Sequence, residues 1–333
     1  MTRPGVGAPL VTGTLFALAA GLMWGLVFIG PLLLPEYPAT LQSFGRYVAF
    51  GLIALPLAWF DRSKLAQLTR ADWLEALKLG LIGNVVYYLL LASAIQRAGG
   101  PLPTMIIGTL PVVIAITSNL RVAGTGARAE ARLPWLRLLP SLALIAAGIA
   151  LVNHVELRHL RADPQADLSR YIFGALLAMG AVACWTWYPI RNAEGLRAHP
   201  DRSPRGWATA QGLATLPLAL LGYAGTWLAY AASGSAFAMP FGPRALDYIG
   251  LMFAIGLFAS WLGTLCWNEA SQRLPPTLSG QLIVFETLAA LSYAFLLRGR
   301  TPAVETLVGV ALLVAGVVWA VRMQPQAADA HPA

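Results

Sequence analysis

Apolar residues fall into blocks of about 20 along most of the chain, the length that spans a hydrocarbon core of about 30 Å as an α-helix. Backbone groups in lipid must pair within their own segment, so blocks of this length favour helices. No segment shows the alternation over about ten residues that is typical of membrane β-strands. The pattern therefore predicts ten spans, at residues 12–34, 39–60, 73–96, 102–120, 134–152, 171–190, 207–231, 246–272, 276–297 and 302–321.

The spans form two similar halves of five. The first half is residues 12–153, a polar inter-repeat loop follows at 154–170, and the second half is residues 171–322. A Pro/Ala/Gln-rich tail at 323–333 is predicted to be disordered.

Sequence matches keep the same order in both halves. Residues 51–58 and 212–219 share six of eight residues at an offset of 161, which also aligns Trp24 with Trp185. In the third and eighth spans, Gln96-Arg97 matches Gln272-Arg273 at an offset of 176. An odd number of spans per half places the second copy upside down, which predicts an inverted repeat, an arrangement common in transporters.

Basic residues predict the orientation. With the N-terminus inside, the cytoplasmic segments carry fifteen Lys and Arg residues and the opposite side carries seven. This excess places both termini in the cytoplasm. The membrane is expected to be a bacterial inner (cell) membrane.

Charge and cysteine usage exclude other classes of protein. The formal net charge is +8, but only 11% of residues are charged and the basic ones sit in loops, so nucleic acid is not an expected partner. Cys184 and Cys266 lie in separate apolar blocks without a CxxC pair, so no metal site or disulfide framework is indicated. No Walker A motif is present, and no cofactor is expected.

The chain resembles the EamA-type proteins of the drug/metabolite transporter superfamily over residues 12–322. The marks are the Ala-Gly-Leu-Met-Trp-Gly segment that ends at Gly25, Arg46 early in the second span, and Glu286 in the ninth. Many relatives have Glu-Pro where this chain has Glu286-Thr287. The resemblance implies a bundle with a central cavity lined by spans one to four and six to nine, with spans five and ten peripheral.

Two charged residues inside spans are candidates for the site. Arg46 is costly in a membrane unless it is paired or hydrated. It could bind an anionic group of a substrate, or it could form a structural pair or reach the outer interface. Glu286, expected at the middle of the ninth span, could carry a proton or a cation, or could hold helices together through a hydrogen bond.

Aromatic and amide residues complete the candidate cavity. Trp24 and Trp185 are repeat-related and could stack on organic or cationic groups. Amides inside apolar helices could orient a substrate or join helices through hydrogen bonds. The predicted cavity residues are Trp24, Arg46, Asn84, Tyr88, Trp185, Tyr188, Trp261, Asn268 and Glu286.

The leading hypothesis is a secondary transporter, with export favoured, for small organic metabolites such as amino acids or drug-like compounds. It would work by alternating access, as a monomer or homodimer in contact with membrane lipids. The alternative is a membrane-embedded enzyme or scaffold acting on lipids. An enzyme of that kind needs clustered His, Asp or Cys near an interface, and the sequence shows no such cluster.

Overall fold

The computed structural model describes residues 7–114, 116–117, 135–162, 167–274, 282–299 and 302–322, in which all regular secondary structure is helical. Six helices are long and apolar enough to cross a membrane: α1 (Leu10–Leu33), α2 (Ala39–Leu65), α3 (Arg70–Ala98), α6 (Leu168–Ala198), α7 (Pro204–Ser233) and α8 (Ala245–Arg273). Four further helices have shorter apolar segments within the described residues: α4 (Pro101–Ile114), α5 (Trp135–Ala162), α9 (Val284–Arg298) and α10 (Val304–Arg322). The expected all-α class is therefore correct.

Polar caps fix where several of these helices begin. Thr69 caps α3, because its side chain accepts a bond from the Asp72 backbone while Asp72 accepts one from the Thr69 backbone. Ser203 caps α7 through the Gly206 N–H, and Pro204 occupies the first helical turn. These side chains satisfy N–H groups that have no partner within the helix.

Helix α5 extends beyond its predicted end. It continues to Ala162, so residues 154–162 of the predicted inter-repeat loop are helical. This part of the chain has no Pro or Gly before Asp163-Pro164, and polar helix formers can continue a helix outside the apolar span. The predicted helix starts at Pro134 and Pro276, and the tail at 323–333, lie outside the described residues.

Large apolar side chains cover the outside of the bundle. Leu221 is 73% exposed, Leu228 70% and Leu246 86%, and Trp59 and Phe60 are each 69% exposed. Soluble proteins rarely expose contiguous apolar surfaces of this kind. The exterior therefore suits contact with lipid chains, while polar residues such as Gln42 and Gln211 are buried inside.

The helices pack in pairs that relate the two halves. Helix α2 packs along α7, and α5 packs along α10. Helix α1 packs against α8 and α9, while α6 packs against α3 and α4. Helix α1 of the first half corresponds to α6 of the second, α2 to α7, and so on. When each helix is exchanged for its counterpart, the same pairs of helices are in contact.

Contacts of individual glycines show the same correspondence between the two halves. A Cβ at Gly13 would touch Arg273 and Leu274. A Cβ at Gly174, the repeat partner of Gly13, would touch Arg97 and Ala98. The helices thus approach closely at matching glycines in both halves.

Helices α3 and α8 share an irregularity at the same position. Leu79–Val86 in α3 and Gly256–Leu262 in α8 are π-helical. Such turns are rare and often lie at functional sites, since the wider turn displaces side chains from the α-helical register. At the sequence offset of 176 that aligns α3 with α8, Asn84 of the first segment corresponds to Ser260 of the second.

Gly148 tests the close packing of α5 on α10. A Cβ there would lie 2.5 Å from the Gly309 carbonyl oxygen, a backbone atom that cannot move aside alone. We expect Gly148→Ala to lower the free energy of unfolding by about 1–3 kcal/mol, measured by denaturation in detergent.

Gly250→Ala is the matched control, because a Cβ at this exposed position in α8 would meet nothing within 4 Å. It should leave stability unchanged or raise it by about 0.5–1 kcal/mol through helix propensity. Equal effects of the two substitutions would contradict the close approach of α5 and α10.

Candidate functional site

A narrow cavity lies inside the bundle between α1, α2, α3, α6, α8 and α9. Its empty volume is about 290 Å³, but the centre of a water molecule can occupy only about 10 Å³ of it. Space of this size holds about one water, so the cavity is nearly closed. Its walls are formed by Trp24, Val27, Arg46, Tyr47, Asn84, Tyr87, Trp185, Ala259, Ser260, Thr264 and Glu286.

Arg46 supplies a buried positive charge to this cavity. Only 4% of the residue is exposed, and its Nε donates a 2.9 Å hydrogen bond to Ser260 Oγ. The guanidinium also lies 4.9 Å from the ring centre of Tyr47 and 4.5 Å from that of Tyr88, which adds cation–π attraction. Its Nη1 has no hydrogen-bond partner among the described residues.

Glu286 supplies a carboxyl group from the opposite wall. The residue is 1% exposed, and its Oε2 has no hydrogen-bond partner in the described part of the chain. The Trp185 indole lies close to this carboxyl group, and its Nε1 has no hydrogen-bond partner among the described residues. Arg46 is near enough for electrostatic attraction, yet the two side chains form no ion pair within 4.0 Å among the described residues.

Glu286 was expected at the middle of a span that begins at Pro276, and residues 275–281 lie outside the described part of the chain. Within the described residues, Glu286 lies in the first turn of α9, which begins at Val284 after a turn at Ile283. Helix α1 runs close by, because a Cβ at Gly21 would be 3.1 Å from the Glu286 backbone nitrogen. A helix N-terminus carries a partial positive charge, which favours an acidic residue at this position.

Stacked aromatic rings form the wall beside the two charged groups. Trp185 stacks between Tyr87 at 4.7 Å and Tyr188 at 4.8 Å, and its edge contacts Trp24 at 5.1 Å. Glycine makes room for these rings in helix α3, where a Cβ at Gly83 would lie 2.1 Å from Tyr188. Packing from both faces holds the Trp185 ring in place.

A second polar cluster lies next to the cavity and centres on Asn192. Its Oδ1 accepts bonds from Trp207 at 2.8 Å and Gln211 at 3.3 Å, and its Nδ2 donates to Asn268 at 2.9 Å. Tyr188 joins the cluster by donating to Gln211 at 2.8 Å. These bonds connect α6, α7 and α8.

The structure thus separates the predicted site residues into two groups. Trp24, Arg46, Asn84, Trp185 and Glu286 line the cavity together. The other four surround it: Tyr88 lies under the Arg46 guanidinium, Tyr188 and Asn268 belong to the Asn192 cluster, and the Trp261 indole lies 3.3 Å from the Thr209 hydroxyl.

The predicted set lacks six residues of the wall: Val27, Tyr47, Tyr87, Ala259, Ser260 and Thr264. The repeat contains a signal for two of them, because the offset of 176 pairs Ser260 with Asn84 and Thr264 with Tyr88. Asn192 was missed as well, since it was assigned to a loop at the predicted end of its span.

An apolar helical exterior around a buried, charged and nearly closed cavity defines a membrane protein of the transporter type. Residues 11–125 match the EamA-like transporter family. The chain is also 54% identical over 319 residues to the inner membrane protein YtfF of Escherichia coli (strain K12), which covers 95% of this chain and 97% of that protein. The chain therefore belongs to the EamA-like transporter family of the drug/metabolite transporter superfamily.

A solved structure known only as the crystal structure of a protein shares the fold. Its TM-score is 0.63 at 17% identity, and the match covers 94% of this chain and 99% of the other. At this identity the likeness concerns the fold alone.

Ser260 provides a test of how Arg46 is held. Ser260→Ala removes the acceptor of the Arg46 Nε–H bond, and a buried donor without a partner costs about 1–3 kcal/mol. We expect that loss in the free energy of unfolding in detergent, and we expect Ser260→Thr to retain most of the stability.

Ser292→Ala is the control for this substitution. The Ser292 hydroxyl donates a hydrogen bond to the Leu288 carbonyl of its own helix, on an exposed face. A loss as large as that of Ser260→Ala would show that the effect is not specific to Arg46.

Proposed function

We propose that this protein is a secondary transporter that moves small organic metabolites, such as amino acids or drug-like compounds, out of the cell by alternating access. The observation that carries the proposal is the nearly closed cavity in which Arg46 and Glu286 are buried without pairing with each other. Such groups are costly in a membrane and typically mark a substrate or ion pathway.

We also propose that the two halves are inverted five-helix repeats, with both termini in the cytoplasm of a bacterial inner membrane. The paired helix contacts, the matching glycines at 13 and 174 and the shared π-helical segments support the repeat. The excess of basic residues supports the orientation. The name of the Escherichia coli relative supports the location.

Among the described residues, three ion pairs join the halves at the end of the bundle where α2 ends and α3 begins. Asp61 pairs with Arg205 at 3.0 Å, Glu75 with Arg191, and Asp72 with Arg202. In each pair the acid comes from α2 or α3 and the arginine from the end of α6, the α6–α7 loop or the start of α7. We assign these contacts, the inter-half ion pairs, to a cytoplasmic gate that closes the cavity in this conformation.

Transport is tested in proteoliposomes made from the purified chain. Compounds from a metabolite panel are first selected by thermal stabilisation, because a ligand that binds the native state raises its stability. Each selected compound is then assayed for uptake and for counterflow. Flux no greater than in protein-free liposomes for every stabilising compound would reject the transport function.

The cytoplasmic gate predicts a change in cavity accessibility. In a chain with Cys184 and Cys266 replaced by serine, Thr264→Cys places a reporter on the cavity wall. Adding Arg202→Gln removes one inter-half ion pair. We expect faster labelling of the reporter by a membrane-impermeant maleimide in inside-out vesicles.

Arg158→Gln is the control for this experiment, because Arg158 forms an exposed ion pair with Glu305, between α5 and α10. It should leave the labelling rate unchanged. Acceleration by Arg158→Gln, or none by Arg202→Gln, would argue against a gate at the inter-half ion pairs.

Glu286→Gln tests whether the carboxyl couples transport to protons. If it carries the coupling proton, the variant should lose flux driven by a pH gradient while exchange of substrate across the membrane continues. The measurement compares gradient-driven uptake with counterflow in proteoliposomes. Transport by the variant with an unaltered pH profile would remove the coupling role.

The stability of Glu286→Gln shows whether Glu286 has a structural role, as the partner of Arg46 in a buried ion pair. Breaking a buried ion pair costs about 3–5 kcal/mol, but Glu286 and Arg46 form no such pair within 4.0 Å among the described residues. We therefore expect Glu286→Gln to unfold near the wild-type midpoint. A large loss of stability would instead favour a structural charge pair with Arg46.

A further inference from the structure

A groove lies between the end of α3 and the start of α6, at the end of the bundle opposite the inter-half ion pairs. It is open to the outside and has a volume of about 870 Å³. Its walls are formed by Gln96, Arg97, Asp167, Ser169, Arg170 and Phe173. None of these six residues lines the central cavity, so the groove is a separate site.

Two exposed arginines in the groove are held in place without an acidic partner. Arg97 donates a 3.0 Å hydrogen bond to the Ser93 carbonyl, and its guanidinium lies 5.4 Å from the ring centre of Phe173. Arg170 donates to the Gln96 carbonyl, also at 3.0 Å. Neither guanidinium forms an ion pair with a described residue. Each guanidinium has five N–H donors, so both have donors left for an anion.

The acidic residue in the groove, Asp167, already has another role. Its Oδ1 accepts hydrogen bonds from the backbone N–H groups of Ser169 and Arg170, which caps the start of α6. A carboxylate at this position also interacts favourably with the partial positive charge of a helix N-terminus. The backbone of α6 thus takes up the Asp167 carboxylate, and the two arginine side chains keep an excess of positive charge.

The second half of the chain shows the same arginine with an acidic partner. At the offset of 176, Arg97 corresponds to Arg273 and Ser93 corresponds to Glu269. Arg273 also lies over a phenylalanine ring, that of Phe16 at 5.0 Å, but it forms an ion pair with Glu269 one turn earlier in α8. In α3 a serine stands at the position of that acid. The charge of Arg97 is therefore left free where the repeat neutralises its counterpart.

Apolar side chains continue from the groove along the outside of α6. Ile172, Phe173, Leu176 and Met179 are each about half exposed. Ile172, Leu176 and Met179 are spaced at i, i+4 and i+7, which places them on one face of the helix. A hydrocarbon chain attached to an anion in the groove can lie along this face. A free anion would leave the face unused, so the surface favours an amphiphile.

We propose that this groove binds an anionic phospholipid, with its phosphate on Arg97 and Arg170 and an acyl chain along the exposed face of α6. Basic pockets between membrane helices suit such headgroups, and guanidinium groups form strong charge-assisted hydrogen bonds with phosphate. A zwitterionic phospholipid fits less well, because its ammonium group finds no free carboxylate among the groove residues. The proposal goes beyond the transport function and does not depend on it.

The test compares three ligands of the purified full chain in detergent. Phosphatidylglycerol is anionic, phosphatidylethanolamine with the same acyl chains is zwitterionic, and glycerol 3-phosphate carries a phosphate without acyl chains. Native mass spectrometry gives the affinity of the first bound lipid, and thermal stabilisation compares all three compounds.

We expect phosphatidylglycerol to bind about 25-fold more tightly than phosphatidylethanolamine, since each arginine near an anionic headgroup contributes about fivefold. Equal affinities of the two lipids would overturn the proposal. Binding of glycerol 3-phosphate as tight as that of phosphatidylglycerol would also overturn it, because the apolar face of α6 would then contribute nothing.

Arg97→Gln and Arg170→Gln assign the lipid to the groove. Each should reduce the preference for phosphatidylglycerol about fivefold. Arg273→Gln is the repeat-matched control and should leave the preference unchanged, because that arginine is already paired with Glu269. An unchanged preference in both groove variants, or an equal loss in Arg273→Gln, would place the lipid elsewhere and overturn the assignment.

Ser93→Glu tests the free charge of Arg97 while both arginines remain in the chain. It places a carboxylate one turn before Arg97, as Glu269 stands before Arg273. We expect the affinity for phosphatidylglycerol to fall about fivefold, whereas Ser93→Gln, of the same size without the charge, should retain it. Wild-type affinity in Ser93→Glu, or the same loss in Ser93→Gln, would contradict the proposal. Because Ser93→Glu keeps both arginines, the test holds even where an arginine variant does not fold.

Discussion

Burial of the Arg46 guanidinium is the constraint on which the rest of the interior depends. An arginine inside a membrane protein is tolerated only where other groups replace the water around it. Here Tyr47 from α2, Tyr88 from α3 and Ser260 from α8 do so together. One charge thus links both halves of the chain, and the groups that hold it also define one wall of the cavity.

The two halves have matching features but differ in chemistry at one position of the second span. Both halves have a Trp at the same place in their first span, and both have a π-helical segment in their third. The aligned offset, however, pairs Arg46 with Trp207, which lies in the Asn192 cluster and bears no charge. The Trp and the π-helical segment thus recur in both halves, whereas the arginine at this position occurs in the first half only. A site of this kind can distinguish the two ends of a ligand.

Much of this could be predicted from the sequence, because a membrane imposes strong rules. Long apolar blocks must be helices, and a charge or a Trp inside them is rare enough to notice, which is how Arg46, Glu286 and the Trp24–Trp185 pair were found. Ser260 could not be singled out in the same way, because small polar residues are common in membrane helices. Its role depends on a contact 214 residues away in the chain. The place of Glu286 in the first turn of α9 depends on a turn at Ile283, which lies inside a segment that the sequence predicts as one continuous span.

The distance in sequence between Arg46 and its hydrogen-bond acceptor has a consequence for how the protein is made. Span α2 leaves the ribosome long before α8, so its arginine gains Tyr88 soon, from α3, but lacks Ser260 until α8 is made. On insertion scales an arginine at the centre of a helix costs about 2.5–3.5 kcal/mol. Until the second half is synthesised, α2 therefore needs to remain near water, the translocation machinery or the bilayer surface. The shell around this one side chain is complete only when α8 packs against α2 and brings Ser260 to the guanidinium.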